Sequence, residues 1–131
     1  MQIHGLTAYA HVADVQRSVD FYRRLGLEPR SSHEEDGTLV WAFVTTPAAD
    51  PHEAGARLML ALADGPFDAS QQAVLFYCWS PDVRALRDEL RQAGIAAGEI
   101  EHPFYMPAGQ FRVIDPDGYV LLVGQLDGAG S

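Results

Sequence analysis

The sequence predicts an α+β fold made of two copies of one strand-helix-strand unit. An internal duplication is the first reason: Asp14 and Asp82 lie 68 residues apart, and the same offset places Gly26 on Gly94. In both copies an apolar strand pattern leads into a helical pattern, which is the second reason. Further strand patterns follow each helix, so we expect a sheet in each half of the chain.

The first copy begins with a strand predicted over Leu6 to Val12. A helix follows, because apolar residues recur at helical spacing until Gly26 stops the pattern. Two more strands are predicted over Thr38 to Thr45 and Arg57 to Ala63. The intervening segments, His33 to Gly37 and Thr46 to Ala56, are polar or contain Pro and Gly, and are predicted to be loops. The helical stripe consists of Val15, Val19, Tyr22 and Leu25.

The second copy repeats this order with a strand predicted over Val74 to Ser80. Ser80-Pro81 is a suitable N-cap and first-turn pair for the next helix, whose apolar stripe ends before Gly94. Strands are predicted over Gln110 to Ile114 and Tyr119 to Gln125. Between them, Asp115-Pro-Asp-Gly118 has the residues of a tight turn, which favours a structural role over a catalytic one. The second stripe consists of Val83, Leu86 and Leu90.

Length and composition indicate one domain. A chain of 131 residues with 47% hydrophobic composition can build a proper core, and no linker divides it. We expect a single domain over 1–131, with modules at about 4–64 and 72–126 and a flexible tail over 127–131. Cys78 is the only cysteine, so no intrachain disulfide forms, and its apolar neighbours indicate a buried packing residue.

The charge excludes some partners. A net charge of −9 with nine Lys and Arg disfavours nucleic acid and anionic membranes, which both require clustered basic surface. No apolar run approaches the roughly 18 residues of a membrane helix. The first residues lack the features of a signal peptide, so a cytoplasmic protein is expected.

Side chains alternate across a strand, and the duplication assigns the faces consistently. One face of each first strand is almost wholly apolar and should pack on a helix: Leu6, Ala8, Ala10 and Val12, then Val74, Phe76, Cys78 and Ser80. The later strands add Val40, Ala42, Val44, Leu58, Leu60, Leu62, Phe111, Val113, Leu121 and Val123 to this set. The opposite face carries aromatic rings and a few polar groups, which suits a pocket for a small planar or aromatic molecule. Alternatively, these rings fill a closed sheet or form a homodimer contact, although His11 and Arg112 argue against a simple core.

These motifs resemble those of a known superfamily. The segment from Tyr9 to Leu27, YAHVADVQRSVDFYRRLGL, resembles the opening module of the vicinal oxygen chelate superfamily, which includes glyoxalase I, bleomycin-resistance proteins and extradiol dioxygenases. The segment from Asp115 to Gln125, DPDGYVLLVGQ, resembles its closing hairpin, and Ser80-Pro-Asp-Val83 with Ala93-Gly-Ile95 fits between them. The resemblance covers nearly the whole chain. It implies two paired βαβββ modules, each sheet curled around a cavity, and a homodimer contact.

Enzymes of this superfamily hold a divalent metal in that cavity with His or Glu ligands. The resemblance places the four ligand positions at Thr7, Met59, Leu75 and Leu122. Divalent cations require oxygen or imidazole donors, and this set offers one hydroxyl and one weak thioether. We therefore predict no metal at this site and no cofactor.

A shifted metal site is the alternative. It would use His11 with Glu101-His102. The other histidines are less suitable, because His4 lies near the terminus and His33 and His52 are in predicted loops.

The resemblance to the bleomycin-resistance branch implies a metal-free protein that encloses a small aromatic or amphipathic compound, with resistance or sequestration as its role. Stacking surface would come from Tyr9, Trp41, Phe43, Tyr77, Trp79 and Tyr105, and polar orientation from His11, Gln110 and Arg112. The same predicted ligand site includes Thr7, Met59, Leu75 and Leu122.

Two enzymatic hypotheses compete with this one. The first is metal-free acid-base catalysis with His11 as the acid-base group and Tyr9 or Tyr77 as a proton donor or oxyanion stabiliser. The second, metal-dependent lyase or dioxygenase chemistry, ranks last because its ligands are missing.

Overall fold

The computed structural model describes residues 2–3, 5–47 and 55–126. The chain divides into two compact units, Met1–Phe67 and Asp68–Ser131. Each unit contains one helix and one mixed sheet, so the predicted α+β class is confirmed. Within the described ranges, no helix is long and apolar enough to span a membrane.

The first unit has the order βαβββ. Its β4 lies between β1, which runs parallel to it, and β3, which runs antiparallel, and β2 is the outer strand beyond β3. The elements are β1 (Ala8–Val12), α1 (Val15–Arg23), β2 (Glu28–Glu35), β3 (Thr38–Thr45) and β4 (Arg57–Leu62).

The second unit repeats this arrangement with one strand fewer. Its central strand β7 pairs parallel with β5 and antiparallel with β6. Where a fourth strand would lie, beyond β6, a single bridge joins Glu101 to Gln110. The elements are a short 3-10 turn (Ala69–Gln71), β5 (Phe76–Ser80), α2 (Val83–Gln92), β6 (Gln110–Ile114) and β7 (Val120–Gln125).

The 68-residue duplication is confirmed in detail. β1 and β5 correspond residue for residue at that offset. Asp14 and Asp82 cap the two helices, each accepting a hydrogen bond from the backbone N–H three residues on, at 3.1 and 3.0 Å. Gly26 and Gly94 end them with φ of +92° and +84°, a conformation that glycine adopts without strain.

The strand residues that pack toward the helices in the two cores all belong to the predicted helix-facing sets. In the first unit Ala10, Val12, Ala42, Val44, Leu58 and Leu60 are buried together with Val15, Val19 and Tyr22 of α1. In the second unit the buried set is Phe111, Val113, Leu121, Val123, Val83 and Leu90. Cys78 is half-buried on the same face of β5. Each sheet therefore buries one face against its helix, and its opposite face does not contact that helix.

The predicted start of each first strand is wrong by two residues. β1 begins at Ala8 and β5 at Phe76, so the preceding residues lie outside the ladders. Leu6 and Val74 were expected to face the helices, yet they are 84% and 66% exposed. The reason is that the parallel partners offer no pairing before Leu58 and Leu121.

Two further predictions need correction. The segment His33 to Gly37 is not wholly a loop, because β2 extends to Glu35. Asp36 and Gly37 then form a tight hairpin turn with φ of 51° and 78°. Ser80 is not the N-cap of α2: Asp82 is, and the Ser80 hydroxyl accepts a hydrogen bond from the Asp82 N–H at 3.2 Å.

The turn between β6 and β7 has the predicted structural role. Oδ1 of the buried Asp115 accepts hydrogen bonds from the N–H groups of Asp117, Gly118 and Tyr119 at 2.9–3.0 Å. One carboxylate oxygen thus accepts from three backbone donors, of which the Gly118 N–H also donates to the Asp115 carbonyl at 3.1 Å.

Candidate functional site

The face of the first sheet that points away from α1 collects the predicted residues in two rows. Tyr9, Met59 and Phe43 lie side by side on β1, β4 and β3. One row further along, His11 and Trp41 flank Ala61. The Tyr9 and His11 rings meet edge to face with centroids 5.5 Å apart, and Tyr9 is 57% exposed.

Thr7 precedes β1 and is half-buried. It therefore lies outside the sheet, directly before the first residue of β1.

The corresponding face of the second sheet also has two rows. Tyr77, Leu122 and Arg112 form the first, and Trp79, Gly124 and Gln110 form the second. We refer to this surface, defined by these six residues, as the open face of the second sheet. The Tyr77 and Trp79 rings lie 5.2 Å apart, and Trp79 is 60% exposed. Leu75, expected on this face, lies just before β5 and is exposed.

A hydrogen-bonded triad connects the open face to the loop that precedes β6. The Tyr77 hydroxyl donates to Oε1 of Gln110 at 2.8 Å, and Nε2 of Gln110 donates to the Tyr105 hydroxyl at 2.9 Å. Gln110 is only 5% exposed, whereas Tyr105 is 54% exposed. A buried amide thus fixes two phenols, because losing either partner would leave part of it unsatisfied.

Gly124 makes this triad possible. A Cβ atom at position 124 would lie 2.8 Å from the Tyr77 hydroxyl oxygen, 3.1 Å from its Cε1 and 2.9 Å from Cε of Met106. The Tyr77 ring therefore crosses β7 at the one residue that has no side chain, and this crossing lets its hydroxyl reach Gln110 on the next strand.

The electrostatics of the triad favour the neutral form of Tyr77. Burial raises the pKa of Tyr77, and the neighbouring Tyr105 raises it further. Tyr77 therefore stays protonated at neutral pH, so it acts as a hydrogen-bond donor and not as a base.

The four superfamily ligand positions do not fit a divalent metal. Thr7, Met59, Leu75 and Leu122 supply neither a carboxylate nor an imidazole. Within the described segments, no group of three or more His, Cys, Asp or Glu could hold a metal ion.

The residues considered for a shifted metal site are divided between the units. His11 lies in the first unit, and Glu101 and His102 lie in the second. Nδ1 of His102 is 2.9 Å from the Pro107 carbonyl oxygen. His33 pairs with Glu35 at 3.5 Å on β2, while His4 and His52 lie outside the described residues.

Sequence reasoning missed Gly124 and Met106. Gly124 has a recognisable signal, since a glycine inside an otherwise apolar strand often marks the close approach of another group. Met106 has none, because its position depends on how the loop over 102–109 folds back. That loop is held by hydrogen bonds from Met106 N–H to the Pro103 carbonyl and from Gly109 N–H to the Met106 carbonyl.

The sequence profile of the Glyoxalase/Bleomycin resistance protein/Dioxygenase superfamily matches residues 6–123, most of the chain. The chain belongs to this superfamily. The resemblance inferred from its opening and closing motifs is thereby confirmed. No curated protein sequence matches this superfamily member.

Solved structures agree on the fold. TnmS3, an antibiotic-binding protein from Streptomyces sp. CB03234, is 22% identical with a TM-score of 0.72, and the match covers 96% of this chain and 98% of that protein. The bleomycin resistance determinant encoded on transposon Tn5 is 18% identical with a TM-score of 0.64, covering 93% and 97%. A bleomycin-binding protein in complex with bleomycin is 17% identical with a TM-score of 0.63, covering 97% and 100%. At these identities the likeness establishes the fold alone.

Proposed function

We propose that this protein is a cytoplasmic, metal-free binding protein for a small aromatic or amphipathic compound, with resistance or sequestration as its role. One observation carries the proposal: each sheet buries one face against its helix and presents accessible aromatic rings on the other. Solved relatives with antibiotic-binding and bleomycin-binding functions support it.

The chemistry of the two faces suits such a ligand. Tyr9, Trp41 and Phe43 in one unit and Tyr77 and Trp79 in the other provide ring surface for stacking. His11 and Arg112 would orient the compound, and Gln110, whose amide is bonded to Tyr77 and Tyr105, would hold those two phenols in place. This combination of apolar area with sparse polar groups is typical of small-molecule sites. The donor chemistry at the superfamily ligand positions supports binding without a metal.

Tryptophan fluorescence tests the proposal in each unit separately. The chain has two tryptophans, one on each aromatic face, so Trp41→Phe leaves Trp79 as the reporter and Trp79→Phe leaves Trp41. Titration with aromatic metabolites and antibiotics, including bleomycin, should quench at least one reporter saturably. Calorimetry should return the same Kd, and treatment with a chelator should leave it unchanged.

The absence of saturable binding across the panel would contradict the proposed function. N-acetyltryptophanamide, titrated in parallel, controls for absorption by the ligands. A stoichiometric divalent ion in untagged purified protein would contradict the metal-free part alone.

The edge-to-face contact of Tyr9 with His11 supports a second candidate, acid-base catalysis without a metal. In this case turnover of a bound compound would be lost in His11→Ala and retained after chelation. Unchanged binding with no turnover in the wild type would exclude this candidate and leave the binding function.

We further propose that the protein is a homodimer. Large apolar side chains are exposed in both units, including Leu6, Val74, Phe104 and Ile114, and such surface is typical of association sites. Sedimentation velocity at several concentrations should give about twice the monomer mass of 14.3 kDa. A monomer at all concentrations would contradict this proposal.

A further inference from the structure

The triad of Tyr77, Gln110 and Tyr105 leaves one phenolic proton unused. A primary amide has one acceptor end and one donor end. The acceptor end of Gln110 takes the proton of Tyr77, and its donor end contacts the oxygen of Tyr105. Tyr105 therefore acts as an acceptor toward Gln110, and its own O–H has no other acceptor among the described residues. The hydroxyl proton that is not used within the triad is therefore that of Tyr105, whose side chain is 54% exposed.

The surroundings of this proton favour a planar aromatic partner. Trp79 lies on the open face in the same row as Gln110, separated from it by Gly124. Gly124 has no side chain, so the surface between the Trp79 indole and the Gln110 amide is formed by the Tyr77 ring and Met106. Rings at this position can stack on Trp79 and Tyr77, and the Tyr105 hydroxyl lies 2.9 Å from Nε2 of Gln110 at the other end of the row.

The polar groups that remain for a ligand on or beside the open face are donors. None of the described β5, β6 and β7 residues on this face is Asp or Glu, although the chain contains 18 acidic residues. Arg112 lies in the row of Tyr77, is exposed and has no ion pair among the described residues. Glu101, bridged to Gln110 beyond β6, is the acidic residue next to the face. Hence the Tyr105 hydroxyl and the Arg112 guanidinium are both available to donate hydrogen bonds to an acceptor on a ligand.

We infer that the open face of the second sheet is a subsite for a planar aromatic compound bearing an acceptor oxygen, a carbonyl or a carboxylate, which the Tyr105 hydroxyl recognises. This inference rests on the proposed binding function and specifies its ligand class. Gln110 is then a positioning residue. It accepts the hydrogen bond of the Tyr77 hydroxyl and donates to the Tyr105 oxygen, so that the Tyr105 O–H is left to donate to a ligand. A cationic partner would find no carboxylate on these strands.

Three naphthalenes of matched shape test the inference. 2-Isopropylnaphthalene has no acceptor oxygen, 2-acetylnaphthalene has a neutral carbonyl and 2-naphthoate has a carboxylate. Titrated against full-length Trp41→Phe protein with Trp79 as the reporter, at least one oxygen-bearing probe should bind about three- to tenfold more tightly than the isopropyl compound. When Tyr105→Phe is added to Trp41→Phe, the ratio of the two affinities should fall to about one. The affinity for 2-isopropylnaphthalene should stay the same.

A matched control removes a phenol from the same unit but not from this face. Tyr119 stacks on Phe76, which points toward α2, at a centroid distance of 5.8 Å. Tyr119→Phe, added to the Trp41→Phe protein, should therefore leave the affinity ratio of that protein unchanged. Tighter binding of 2-acetylnaphthalene than of 2-naphthoate would identify the neutral carbonyl as the recognised group. The reverse order, with the advantage lost in Tyr105→Phe and reduced in Arg112→Gln, would identify the carboxylate.

The outcomes separate this inference from the proposed function. Equal affinities for all three probes, or a ratio that survives Tyr105→Phe, overturn the inference while the binding function stands. Saturable quenching of Trp41 without any quenching of Trp79 also overturns it alone. If the face is instead covered by a second copy of the chain, Trp79 will respond to protein concentration and not to the probes, which again overturns it. If no compound quenches either tryptophan, both the inference and the proposed binding function are contradicted.

Discussion

Replacing Gly124 with alanine puts a methyl group where the Tyr77 ring crosses β7. The new Cβ would lie 2.8 Å from the Tyr77 hydroxyl oxygen and 2.9 Å from Cε of Met106, where ordinary contacts are 3.4–4 Å. Crowding of this kind costs about 1–3 kcal/mol. Displacement of the ring also breaks the hydrogen bond to Gln110, worth about 1 kcal/mol. Alanine returns about 0.5–1 kcal/mol through its lower backbone entropy, so the net loss is about 1–3 kcal/mol.

Urea denaturation followed by circular dichroism measures this loss in the free energy of unfolding. In a thermal scan the same loss corresponds to roughly 4 °C per kcal/mol for a chain of this size. Gly65→Ala is the matched control, because Gly65 has no positive φ and its added methyl group would have no atom within 4 Å. It should be neutral or slightly stabilising.

A double-mutant cycle tests the cause of the Gly124→Ala effect. Tyr77→Phe removes the hydroxyl oxygen, which is the closest atom, but keeps Cε1 at 3.1 Å. Alanine at position 124 should therefore cost about 0.5–2 kcal/mol less in the Tyr77→Phe background than in the wild type. If Gly124→Ala is as stable as Gly65→Ala, or if the two substitutions are simply additive, the reasoning about the crossing ring is refuted.

Three further predictions concern the second unit, with stability measured by urea denaturation. Asp115→Ala should lower the free energy of unfolding by about 2–4 kcal/mol, because the N–H groups of Asp117 and Tyr119 lose their acceptor and that of Gly118 keeps only the Asp115 carbonyl; Asp88→Ala on the exposed side of α2 should change it by less than about 0.5 kcal/mol, and equal effects would contradict the assignment. Arg87→Ala should cost about 1–3 kcal/mol, since Nε of Arg87 donates to the Gly98 carbonyl at 2.6 Å, and an equal cost for the exposed Arg84→Ala would show that this contact is unimportant. Burial raises the pKa of the Cys78 thiol, so folded protein should react with a thiol reagent at pH 8 much more slowly than urea-unfolded protein. Because the unfolded thiol ionises first, stability should fall as the pH rises above the ordinary thiol value of about 8.5, and Cys78→Ala should reduce this fall.

The parts of the fold that the sequence predicts well are those controlled by local chemistry. The helix-facing sets follow from alternation along the strands, and their buried members, such as Ala10, Leu60 and Phe111, lie where expected. The Asp-Pro-Asp-Gly turn follows from residue types with known turn preferences. β2 was missed because all eight of its residues are exposed and all but Pro29 are polar, so it has no apolar alternation. Only the Asp36-Gly37 pair signals the hairpin.

The sequence predicted which residues share a face of the candidate site, but not the contacts among them. Parity places Tyr77, Gln110 and Arg112 on one face, and the register confirms it. The hydrogen bonds among the three triad residues could not be predicted, because they depend on the loop over 102–109 carrying Tyr105 back to Gln110.

The sequence by itself therefore determined the duplication, the two helix-facing cores and the aromatic character of the opposite faces. These features depend on residue type and spacing along the chain, which are local properties. Only the tertiary structure decided which phenol has a free proton, why position 124 must be glycine and where the first strands begin. Those features depend on atoms from strands and loops distant in sequence, whose distances no pattern along the chain encodes.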